Sequence, residues 1–187
     1  MALLILGLLL WSAAHLFGRA FPTTRQALAA RLGEGPLKGG IAIVLALSVI
    51  LMVIGYRSAP FVPVYDPPSW TIHVNNLLML VAIALLGMGH SKGRARAWFR
   101  NPMLMGVTVW AFAHVLVNGD LASLILFLGL AAWANVQMAV IKAQEPDWER
   151  PTPGTLVGDL RLVVITIVAF AIITAVHTWL GVWPFPR

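Results

Sequence analysis

The sequence holds five histidines and no cysteine, which leaves imidazole as its main soft ligand and excludes disulfides, thiolate metal sites, iron–sulfur clusters and covalently attached c-type haem. One histidine stands in a run of special composition. From Arg100-Asn101-Pro102-Met103 through Trp110-Ala-Phe-Ala-His114 to Asn118-Gly119-Asp120 the chain is apolar, with a few polar side chains at helical intervals. Trp110, His114 and Asn118 are four apart, so the spacing places them on one face of a helix. In lipid, an imidazole or amide without a partner would cost several kcal/mol. The stripe must therefore face protein or a bound group.

A second site has the same spacing. Trp11-Ser-Ala-Ala-His15 shares Trp-x-x-x-His with Trp110-Ala-Phe-Ala-His114, and the two segments belong to spans expected to run in opposite directions. That arrangement suits an inverted three-plus-three repeat. Two neutral imidazoles from different helices of an apolar bundle are suitable axial ligands for haem b, and Arg100 or other basic loop residues would meet its propionates. His15 lies toward the inner side of its span and His114 toward the outer side, an offset of about 12 Å at 1.5 Å per residue. One haem held by both would need a steep ligand axis, tilted helices or a sliding first span. A competing metal reading groups His73, His114 and His177, which share a depth, as a zinc or copper layer. His73 and His90 stand near helix ends, where a histidine ordinarily snorkels or caps.

These side chains need a scaffold, and the composition says which. At 187 residues and 59% hydrophobic, with a mean hydropathy of +0.84, the chain is about one domain long and too apolar for an ordinary soluble fold. The expectation is an all-α, polytopic transmembrane bundle forming a single domain over 1–187. Its spans are expected near 2–17, 39–56, 69–89, 102–117, 121–141 and 159–183, the fourth being short. The first lacks a basic leader and a small-x-small cleavage site, and so reads as a retained helix. After Pro22, Thr23 and Thr24 are expected to cap a short interfacial helix reaching Leu32. Pro60, Pro63, Pro67 and Pro68 make the stretch from Arg57 to Pro68 a surface loop.

The net charge of +6 would suggest nucleic acid in a soluble protein. Here it reports topology instead. Eleven of the thirteen basic residues fall in the loops after spans one, three and five or, for Arg161, at the adjoining start of span six, and Arg57 and Arg187 fall opposite, so the positive-inside rule sets both termini in the periplasm. The expected location is a bacterial inner membrane, with the lipid bilayer as partner and no nucleic acid.

Arg100-Asn101-Pro102-Met103, Trp110-Ala-Phe-Ala-His114 and Asn118-Gly119-Asp120 resemble the central motif of the NnrU family of bacterial membrane proteins. The chain is also similar to the related 15-cis-zeta-carotene isomerases of plants and cyanobacteria, and the likeness extends from Ala14-His15-Leu16 and Arg25 to His177. The isomerase branch implies a haem b held by two histidines, matching His15 and His114 here. The NnrU branch implies a link to denitrification, through the expression or activity of nitric oxide reductase. Two positions depart from the pattern. The family motif usually reads Arg-His-Pro where this chain has Asn101, which removes an imidazole able to titrate near neutrality. The plant isomerases carry a cysteine three residues before the second ligand, where this chain has Ala111.

Two functions compete at this level. In the first, His15 and His114 hold haem b, Trp110, Asn118 and Asp120 shape the pocket rim and fix His114, and any chemistry is redox or isomerisation of an apolar polyene. In the second, the chain is a cofactor-free accessory or assembly subunit of a larger respiratory or photosynthetic complex, and the polar stripe holds its helices together. Both require the same topology: a reporter fused after Arg187 is expected to read out in the periplasm, and a cytoplasmic signal would invert it.

Overall fold

The computed structural model describes residues 1–185, so Arg187 lies outside the described residues. Among them the chain is all-helical: α1 (Ala2–Ala20), α2 (Pro22–Leu32), α3 (Glu34–Arg57), α4 (Thr71–Met88), α5 (Pro102–Val115), α6 (Leu121–Gln144) and α7 (Leu156–Trp179), with a 3-10 turn at Arg94–Ala97. Helices α1, α3, α4, α6 and α7 are long and apolar enough to cross a membrane. This is the helical membrane class expected from composition. Helix α5, at 14 residues, rises only about 21 Å, short of a hydrocarbon core of about 30 Å.

Four helix ends differ from expectation for local reasons. Pro22 is itself the first residue of α2, so Thr23 and Thr24 lie inside the helix and no side chain caps it. Helix α5 stops at Val115 instead of Val117, because the N–H groups of Val117 and Asn118 both fold back onto the His114 carbonyl. Helix α7 begins at Leu156, where the Thr155 hydroxyl accepts from the Gly158 N–H. It ends before Gly181, whose φ of 86° sends the Val182 N–H back to the His177 carbonyl.

The chain divides into two compact units, Met1–Val64 with Asp120–Gly129 and Tyr65–Gly119 with Leu130–Arg187. In the first unit α1 packs along α3. Leu4 is fully buried beside Gly55, where the two backbones touch, and Gly7 meets the Ser48 carbonyl and Met52 in the same way. Small residues at the crossing bring the helices together where apolar burial gives no advantage over lipid. The Tyr56 hydroxyl, 2.9 Å from Ser123 Oγ, ties the end of α3 to the start of α6.

In the second unit α4 packs on α5 and on α7. Leu85, Met88, Ala95 and Leu162 form one buried cluster. Met79, Ile83 and Ala113 form another, covered by Trp110, Phe170 and Ile173. The loop after α4 is clasped to the start of α7: the Thr155 N–H donates to the Lys92 carbonyl, Asp159 accepts from the Ala95 N–H at 3.0 Å, and Arg94 pairs with Asp159 at 3.3 Å.

The glycine crossing of the first unit is testable. A Cβ on Gly55 would overlap the Leu4 backbone, whereas one on Gly39 of the same helix would meet open space. Gly55→Ala is expected to destabilise the detergent-solubilised protein by about 1–3 kcal/mol in thermal unfolding, and Gly39→Ala to leave it unchanged or slightly improved.

Candidate functional site

The two Trp-x-x-x-His segments adopt one local structure. On α1 the His15 Nδ1 lies 3.0 Å from the Trp11 carbonyl oxygen, and the imidazole tilts against the indole with ring centres 4.2 Å apart. On α5 the His114 Nδ1 lies 2.9 Å from the Trp110 carbonyl, with ring centres 5.2 Å apart. Both histidines are half-buried. His177 on α7 repeats the hydrogen bond, Nδ1 to the Ile173 carbonyl at 2.8 Å, without the tryptophan.

This geometry decides the tautomer. A carbonyl oxygen accepts and cannot donate, so the bond requires the proton on Nδ1, and in the neutral ring the lone pair then sits on Nε2. Metal-ligating histidines are commonly held in this way, one ring nitrogen donating to a carbonyl and the other directed to the metal. The four-residue interval supplies the acceptor from the same helix. No neighbouring element has to be recruited.

The other expected site residues serve different ends. Asn118 lies beyond α5; its side-chain amide donates to the His114 carbonyl at 2.8 Å and so closes the helix end. Asp120 belongs to the first unit. Its carboxylate accepts from the Ser123 N–H at 3.0 Å and from the Ser123 hydroxyl at 2.5 Å, which caps α6 and extends to Tyr56. The residue that fixes the His114 ring is therefore Trp110, through its carbonyl. Arg100 is largely buried and donates to the Glu145 carbonyl at 2.5 Å and the Ile141 carbonyl at 3.4 Å, with the Glu145 carboxylate also 3.4 Å away. It crowns the C-terminal end of α6, where a cation complements the helix dipole.

His73 and His90 are exposed. Among the described residues no three histidine, cysteine or acidic side chains gather as a metal-holding group, so His73, His114 and His177 do not form the expected layer. Of these three, only His73 borders the cavity of about 610 Å³ at the start of α4, together with Trp70, Val117 and Trp183. Ala111, three residues before His114, is fully buried. Sequence reading missed Tyr65, whose hydroxyl donates to the Val115 and Asn118 carbonyls and so caps the end of α5 just past His114. A tyrosine inside the proline-rich loop was the available signal.

A family model described as NnrU protein matches residues 3–184. The chain belongs to the NnrU family. No curated protein and no solved structure matches it. The family match runs through both Trp-x-x-x-His segments and His177, which makes their shared ring geometry the feature to interpret.

If Asp120 is a helix cap, Asp120→Ala is expected to cost about 0.5–2 kcal/mol of stability by thermal unfolding, and Asp120→Asn less, since the amide oxygen still accepts. Equal stability of all three proteins would return Asp120 to a binding role.

Proposed function

We infer that this NnrU protein is a multi-pass protein of the bacterial inner membrane that binds haem b, with the imidazole of His114 as an iron ligand. The observation that carries the reading is the repeated Trp-x-x-x-His unit, in which the Nδ1 bond to the tryptophan carbonyl at 2.9 or 3.0 Å sets the lone pair on Nε2. Neutral imidazole in an apolar setting is the donor that haem b takes without covalent attachment, and the sequence has no thiol to compete for the iron. Bound haem b would supply one-electron chemistry at its iron.

The chain's own residues define the rest. Trp11 and Trp110 lay an indole against each imidazole and hold its plane. Asn118 and Tyr65 anchor the backbone just beyond His114. With Asn101 before Pro102, no imidazole at that position moves a proton, and with Ala111 no thiolate exchanges with a ligand. The proposed role is therefore electron transfer or redox support, linked through the family resemblance to nitric oxide reduction. Isomerisation of an apolar polyene is the less favoured chemistry, since the thiolate associated with it is missing.

Absorption spectroscopy of the purified full chain tests this directly. A Soret band is expected in the native protein and is expected to be lost in His114→Ala. Loss of the band in either His15→Ala or His177→Ala, with retention in the other, assigns the second ligand. A colourless, folded preparation from haem-replete cells would overturn the haem reading and favour the cofactor-free accessory subunit.

A further inference from the structure

The first unit contains a groove of about 440 Å³ between the inner end of α1, Leu32 at the end of α2 and the first turns of α3. Ala14, Phe17, Leu32, Pro36, Gly40 and Val44 line it, and its walls are apolar. From Pro36 to Val44 it follows α3 for about 12 Å at 1.5 Å per residue, close to the half-thickness of about 15 Å of a hydrocarbon core. That length and the apolar lining suit one extended hydrocarbon chain.

Its Leu32–Pro36 end is basic. The segment from Gly18 to Lys38 contains Arg19, Arg25, Arg31 and Lys38 against Glu34 as its one acid. Arg25 takes both Glu34 oxygens, at 3.1 and 2.9 Å, and Lys38 reaches the same carboxylate at 3.7 Å. One carboxylate serves two cations, and the exposed Arg31 has no acidic partner among the described residues. Helix α2, with no buried residue, holds this charge at the surface beside the groove.

We propose that the cleft between α1 and α3 is a binding site for an anionic phospholipid, one acyl chain lying in the groove and the phosphate meeting Arg31 and Lys38. The proposal is independent of haem binding. An acyl chain matches the dimensions and the apolar walls, and a headgroup anion offsets the excess of cations at the Leu32–Pro36 end.

Native mass spectrometry of the full chain in detergent, with phosphatidylglycerol and phosphatidylcholine of equal chain length added at equal concentration, tests the site. The native protein is expected to retain one phosphatidylglycerol in preference to phosphatidylcholine. Arg31→Gln and Lys38→Gln should each reduce that preference about fivefold. An added Cβ at Gly40 meets open space, so Gly40→Leu fills the groove without a backbone clash and should abolish the adduct. Gly39→Leu, one residue away and outside the lining, controls for the change in helix propensity and should keep it. Equal retention of the two lipids by the native protein, an adduct that persists in Gly40→Leu, or a dimer that forms in place of lipid adducts would each overturn the proposal.

Discussion

In hydrocarbon a polar side chain must find its hydrogen-bond partner within the protein, and this chain finds most of them inside the same helix. Ser12 donates to Leu8, Thr108 to Leu104, Asn135 to Ala131 and Thr178 to Thr174, each to the carbonyl one turn back. His15, His114 and His177 follow the same rule. Helix α7 keeps its outward faces apolar, with Val163, Val164, Ile165, Ile167 and Val168 exposed, while Thr174, His177 and Thr178 each bond a carbonyl of the same helix. For serine and threonine the arrangement ends there. For histidine it has a chemical consequence, because fixing the proton on one nitrogen fixes the lone pair on the other.

Close backbone approach is the second constraint, and it explains where small residues fall. Lipid tails are as apolar as leucine, so helices associate through contact area and not through escape from water. In the first unit Gly7 and Gly55 let α1 and α3 touch; in the second, Gly106 brings α5 against the Ala82 carbonyl and Leu86 of α4. Gly106 is two turns before Ala113, on the helix that carries His114, so the same contact that builds the unit sets the height of the imidazole. Tyr65 and Asn118 then hold the other end of that short helix. Helix α5, whose 14 residues fall short of a bilayer's thickness, is thus held at both ends.

What could be read from the sequence follows from this division between local and distant causes. Helix identity, the apolar stretches and the Trp-x-x-x-His stripe depend on neighbours within one turn, and all were legible. The role of Asn118 was misread because it was assigned a place on a helix that ends three residues earlier; the termination depends on three N–H groups converging on one carbonyl, which no periodicity announces. Arg100 was expected beside haem propionates, whereas its partners in the fold are backbone carbonyls and the Glu145 carboxylate, all more than forty positions away. The division at Gly129 was equally invisible. Helix α6 passes through it with no change in composition, because both halves answer to the same apolar surroundings.

The departures from the family pattern gain meaning from the same physics. At residue 101 the chain needs only a helix entry, since Pro102 already occupies the first position and the Asn101 carbonyl accepts from Met105. An asparagine there keeps the fold and gives up a titrating ring. Ala111, three residues before His114 in sequence, is packed with no exposed surface. Neither change disturbs the carbonyl that orients His114, which belongs to Trp110. The device that directs the imidazole is thus backbone alone, and the side chains at positions 101 and 111 leave it untouched.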